Sequence, residues 1–219
     1  MHYVNGFFKY VYDFGFWLAK IMVLQIYWVL FTVLGLGIFG IAPATVAVST
    51  IIHGWFTEKK NVALFKEFIA IYRRSFKKSN LLFWGWAFIG LFLYFDYFVS
   101  KTYIQSFYFH IVIMLVIVIT LGSFAHFLTV FVRYDLPLLQ YFKQSFLIAL
   151  ARPMESIAIF VALLLLYYVY MFLPVLAVFI GVPLTLYPVL WFSYRACIAV
   201  EDSKEKIEQQ SKTPSYGRS

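Results

Sequence analysis

Hydrophobic positions in this chain come in long unbroken blocks separated by short polar stretches. A helix needs about 20 apolar residues to cross about 30 Å of hydrocarbon. Residues 21–41 reach that length with only Gln25 and Thr32 as polar interruptions, and residues 81–99, 107–132, 154–173 and 175–194 also qualify. Residues 44–56 are apolar but extend only about 20 Å at about 1.5 Å per residue. Counting them gives six spans, the preferred number; omitting them gives five. The segment 201–219 is polar, has no apolar period and reads as a disordered tail. The pattern therefore predicts an all-α polytopic membrane protein, a single helical domain over 1–200 with about six transmembrane helices.

A second pattern overlies the first. In three places an amphipathic stretch precedes a pair of spans. The clearest places Phe65, Phe68, Ile69, Tyr72 and Phe76 at helical spacing, with Lys66, Arg73, Arg74, Lys77 and Lys78 on or near the other side. Basic residues opposite aromatic ones suit a helix lying in the headgroup layer. Weaker versions run through Val4, Phe7, Phe8, Val11 and Tyr12, and through Leu138, Leu139, Phe142 and Phe146. Each ends in aromatic-x-x-small-Phe: Tyr12 to Phe16, Tyr72 to Phe76 and Phe142 to Phe146. The implied architecture is three units, each an elbow helix followed by a helical hairpin. Such repetition occurs in transporters and also follows from stacking hairpins, so it bears on architecture and leaves activity open.

Composition agrees with the pattern. Of 219 residues, 63% are hydrophobic and only 13% charged, and the mean hydropathy is +0.82. A water-soluble enzyme domain, a disordered protein and a secreted disulfide scaffold are excluded. The single cysteine, Cys197, allows neither an internal disulfide nor a multi-cysteine metal site. With six spans and both termini cytoplasmic, 17 of the 18 basic residues fall on the inner side, and only Lys101 falls outside. This bias orients a bacterial plasma-membrane protein. It also accounts for the net charge of +8 through orientation and attraction to anionic lipid, without nucleic acid. The first apolar run is too long for a signal-peptide core, so it is expected to remain as a span.

Candidate chemistry is sparse. Gly35, Gly37 and Gly40 spell G-x-G-x-x-G, but inside a span and without the strand a dinucleotide site requires; close helix contact is the simpler role. Pro43 reads as the first turn of the second helix. A functional alternative is a broken helix whose N-terminus, near Ala44 and Thr45, faces a polar ligand or partner; the plainer reading is a tight outer-face hairpin. Gln25, His53 and His126 all lie near the inner boundary and would either converge on a polar pocket or each make one interhelical hydrogen bond. Glu155 follows Pro153 in a first helical turn, where a carboxylate suits the dipole. No catalytic signature, cofactor motif or metal-ligand spacing is present in the sequence.

The Gly40-Ile41-Ala42-Pro43-Ala44-Thr45-x-Ala47 segment, the preceding span with Trp28 and Leu30, and the stretch from Phe65 to Lys78 together resemble the YesL-type family of small bacterial membrane proteins, a family of unknown function. The resemblance covers residues 10 to about 200. It implies a setting in carbohydrate-utilisation loci, beside sugar ABC-importer permeases and glycan-degrading enzymes. Two functions are then expected to compete. One is a non-enzymatic accessory subunit packing against ABC-importer permease subunits, with Gly40, Pro43 and Thr45 as partner contacts and Lys66, Arg73, Arg74, Lys77 and Lys78 meeting lipid or an acidic surface. The other is a self-sufficient small transporter or channel using Gln25, His53 and His126 together with the broken turn at Pro43.

Overall fold

The computed structural model describes residues 2–57, 64–104 and 106–212, and among these every regular element is helical. In chain order they are α1 (His2–Leu34), α2 (Ile38–Thr57), α3 (Leu64–Val99), a π-helical turn (Ser100–Ile104), α4 (Phe107–Arg133), α5 (Leu138–Ala151), α6 (Pro153–Phe172) and α7 (Pro174–Lys212). Six of them are long and apolar enough to cross a bilayer. The exception is α5, whose 14 residues extend only about 21 Å. The chain is thus a multi-pass membrane protein. Lys59, Lys60, Arg218 and the end of the expected tail, 213–219, lie outside the described residues.

Several expected boundaries move, each for a local physical reason. The first turn falls at 35–37, not at 42–43, which lengthens α2 to 20 residues and resolves the problem of the short span. Two of the three elbows are not separate helices: α1 and α3 run straight from the amphipathic stretch into the apolar one. In α3 no proline or glycine occurs between residues 64 and 84, so nothing interrupts the hydrogen-bond ladder. The third elbow, α5, is separate because Arg152 leaves helical geometry (φ −133°, ψ 65°) immediately before Pro153. The expected disordered tail is helical as far as Lys212. Asp202 and Lys206, and Lys204 and Glu208, stand four apart and support that extension.

The residues divide into two compact units, Met1–Phe88 with Ala162–Pro188 and Ile89–Val161 with Val189–Ser219. In the first unit α1 and α2 form a tight hairpin. Within it α2 is the most enclosed of the six spanning helices, with 61% of its most apolar stretch buried. The Trp28 indole N–H donates to Thr45 Oγ1 at 3.0 Å across the hairpin. Rings of Tyr27, Phe31, Phe65, Phe68 and Tyr72 pack with centroids 5.1–5.6 Å apart and join α3 to α1. Gln25 Oε1 accepts the backbone N–H of Val182 at 3.0 Å, and Tyr170 donates to the Gly181 carbonyl at 3.0 Å. In the second unit α4 packs on α5, and the Tyr141 hydroxyl pins the connection by donating to Tyr134 O and accepting from Leu136 N.

Candidate functional site

The most elaborate local structure is the α1–α2 turn and the part of α3 beside it. Gly37 N–H bonds to Thr32 O at 2.9 Å and Leu36 N–H to Val33 O at 3.0 Å. This paired arrangement is a Schellman-type helix ending, which needs a left-handed residue past the last turn. Here that residue is Leu36 (φ 59°), followed by Gly37 (φ 70°). A left-handed leucine is strained by roughly 1–2 kcal/mol, and its side chain is 85% exposed. The other two glycines serve close approach. A Cβ on Gly35 would sit 2.4 Å from Gly40 Cα, and one on Gly40 would sit 2.4 Å from the Thr32 carbonyl oxygen.

Pro43 occupies the sixth position of α2, well inside the helix and not in its first turn. A proline there has no N–H for the carbonyl four residues back, at Phe39. Asn80 of α3 supplies the missing donor: its Nδ2 is 2.9 Å from Phe39 O and 2.9 Å from Phe76 O. Tyr72, about two turns earlier in α3, donates to Phe31 O at 3.1 Å. The motif singled out from sequence is therefore one surface of a three-helix joint. Ala44 and Thr45 lie within α2, and its N-terminus is at Ile38, so the alternative of a ligand-facing helix end at 44–45 does not hold.

These contacts also correct the expected sidedness. Residue 80 was expected at the inner edge of the third span and residue 39 at the outer edge of the first, yet they are hydrogen-bonded. Arg73 and Phe76 line one crevice with Gly35, Leu36 and Phe39. The α1–α2 turn and the basic stretch of α3 therefore occupy the same end of the first unit. In the second unit the expected grouping is found. The end of α4 meets the polar part of α7, with Arg133 Nε donating to Glu201 Oε1 at 3.0 Å and Arg152 donating to Ala199 O at 3.2 Å. Tyr134 also donates to Glu201. Burial, then this bond, holds the phenol above its ordinary pKa. At the far end of that unit Ser100 Oγ meets His110 Nδ1 at 3.2 Å.

The three polar residues placed near the inner boundary have separate settings. His126 is fully buried in the second unit, with Nδ1 2.9 Å from Ser193 Oγ and Nε2 3.0 Å from Ser156 Oγ. Gln25 and His53 belong to the first unit; Gln25 is bound to Val182 and His53 is half-buried near the end of α2. Glu155 is half-buried in the first turn of α6. Sequence reasoning missed Tyr72 as a donor, Asn80, Ser156, Ser193 and the Arg133–Glu201 pair. Asn80, the amide just before the third apolar block, was the one legible signal among them.

The glycine turn, Pro43, Tyr72 and Asn80 fall inside residues 21–97, which match the family model described as "Protein of unknown function, DUF624". The Bacillus subtilis uncharacterized protein YesV is 32% identical over 142 residues, covering 63% of this chain and 67% of its own. The chain belongs to the DUF624 family. Two further relatives from Bacillus subtilis (strain 168) are the uncharacterized proteins YteU, 28% identical over 198 residues (89% of this chain, 88% of the relative), and YesL, 25% identical over 137 residues (63% and 65%). No solved structure matches this DUF624 protein.

Proposed function

We propose that this DUF624 protein is a non-enzymatic accessory subunit of a bacterial carbohydrate ABC importer, packing against its permease subunits in the cell membrane. One observation carries the docking part of this reading: α1, α3 and α6 bury only 17%, 11% and 11% of their most apolar stretches within the protein. Their free faces suit helix partners or lipid. The polar groups at depth support the same reading, because His126, Gln25, Tyr170 and Asn80 are each bonded to another helix of their own unit. A sugar path needs many convergent hydrogen-bonding groups that remain free to meet the ligand. The permease as partner rests on the genomic neighbourhood that the family resemblance implies. By the positive-inside rule the end of the first unit that carries Arg73, Arg74, Lys77 and Lys78 faces the cytoplasm.

The test is mild extraction of the tagged protein from its native membranes with the locus induced, followed by mass spectrometry of what accompanies it. Stoichiometric permease subunits are expected. Recovery of the protein by itself from an extract rich in permease would sink the proposal, and sugar flux into liposomes holding this protein and no other would replace it.

A further inference from the structure

We propose that the crevice beside the α1–α2 turn binds one anionic phospholipid, its phosphate at Arg73, Arg74 and Lys77 and an acyl chain along Phe31, Leu34 and Phe39. Two adjoining hollows of about 420 and 360 Å³ share Tyr72, Arg73 and Phe76. The first is walled by Phe31, Leu34, Leu36 and Phe39, and the second opens onto Arg74 and Lys77. The three basic side chains are exposed, and among the described residues none is paired with a carboxylate. The stretch 66–78 holds five basic residues against one acidic residue, Glu67, which stands about 9 Å along the axis from Arg73.

The two halves of the crevice together define the occupant. A guanidinium pair with a neighbouring ammonium matches the oxygens of a phosphodiester, which Arg binds bidentately. A free phosphate or an acidic peptide would satisfy those charges but leave the aromatic and aliphatic wall wet, with Leu34 65% and Phe39 50% exposed. A phospholipid covers both surfaces with one molecule. The site belongs to a helix joint held by Tyr72 and Asn80, so its wall is fixed before the lipid arrives. This inference needs no importer and stands or falls separately from the accessory role.

Native mass spectrometry of the purified full chain, equilibrated in mild detergent with equal dioleoyl phosphatidylglycerol and dioleoyl phosphatidylcholine, tests it. Wild type is expected to retain one phosphatidylglycerol in at least tenfold excess over phosphatidylcholine. The R73Q/R74Q/K77Q variant is expected to lose that excess, at about fivefold per basic residue. The charge-matched K9Q/K101Q/K143Q variant is expected to keep it. Equal retention of the two lipids, an excess that survives R73Q/R74Q/K77Q, or its loss in the charge-matched variant each overturns the proposal. Displacement by millimolar glycerol 3-phosphate would also overturn it, in favour of a soluble anion. Phosphatidylglycerol carrying a diazirine in its acyl chain provides an independent readout on unmutated protein: crosslinks are expected within 31–39 and 72–77, and crosslinks elsewhere refute the site.

Discussion

Replacing Asn80 by leucine tests whether a side chain from α3 substitutes for the backbone donor that Pro43 lacks. Asn80 Nδ2 makes two bonds at 2.9 Å, to Phe76 O and Phe39 O, and they are not equivalent. Phe76 O lies in an unbroken helix and has the Asn80 backbone N–H four residues on. Phe39 O has no such donor, because residue 43 is proline. Orphaning a fully buried carbonyl costs about 1–3 kcal/mol; the bond to Phe39 O is part-buried, and interhelical hydrogen bonds inside membranes average about 0.6 kcal/mol. An opposing effect reduces the loss: Asn80 Oδ1 is buried with no partner, and leucine removes it. The net cost of Asn80→Leu is therefore about 1 kcal/mol. That value is too small to interpret without its counterpart. Pro43→Ala restores an N–H to Phe39 O and makes the amide dispensable. In a double-mutant cycle, Asn80→Leu is expected to cost about 1 kcal/mol less in the Pro43→Ala background than in wild type. Equilibrium unfolding in mixed dodecyl maltoside and dodecyl sulfate micelles, followed by tryptophan fluorescence, reads all four corners. Additivity within about 0.3–0.5 kcal/mol would refute the substitution of one donor for the other.

Five further outcomes are expected. Leu36→Cys and Arg74→Cys should react with a membrane-impermeant maleimide from the same side of the membrane, with buried Cys197 giving no background; labelling from opposite sides would refute the shared end of the first unit. Gly35→Ala and Gly40→Ala should each destabilise by more than 2 kcal/mol, because the new methyl meets backbone of its own hairpin at 2.4 Å. Gly54→Ala, with open space around it, should gain about 0.5–1 kcal/mol by the same unfolding assay. Leu36→Gly should raise the unfolding midpoint by relieving a left-handed leucine, and an unchanged or lower midpoint would show that the strain is offset by chain entropy. His126→Ala should cost about 2–4 kcal/mol by leaving a cavity between Ser156 and Ser193, with His126→Leu costing less; equal loss in both would assign the effect to the hydrogen bonds instead.

The spans were legible because a membrane helix declares itself by length and apolarity. The fourth was expected at 107–132 and observed as Phe107–Arg133, and the fifth at 154–173 against Pro153–Phe172. What escaped were features decided by a partner far away in sequence. Pro43 looked like a helix start because an interior proline leaves a carbonyl unserved, and the amide that serves it lies 37 residues on. Three glycines within six residues offered several turns; only the backbone contacts Gly37–Thr32 and Gly35–Gly40 select among them. Ser156 and Ser193 were invisible because an intramembrane serine bonded to its own helix and one bonded to a histidine are spelled alike. The charged end of α7 was read as disordered on composition, whereas its first carboxylate, Glu201, is held by Arg133 and Tyr134.

The enclosure of α2 has a consequence for how the chain enters the membrane. It is the most buried spanning helix, and at 1.4 its mean hydropathy is the lowest of the six. A segment with so weak a preference for lipid, carrying Ser49, Thr45 and His53, gains little from partitioning by itself. Its neighbour α1 is more apolar, and only three residues separate the two. Insertion of α1 and α2 together as one hairpin, in which each helix shields the other's polar groups, is the expected consequence. The Gly35–Gly40 contact would then have to form during synthesis, making this turn a determinant of biogenesis as well as of the finished structure.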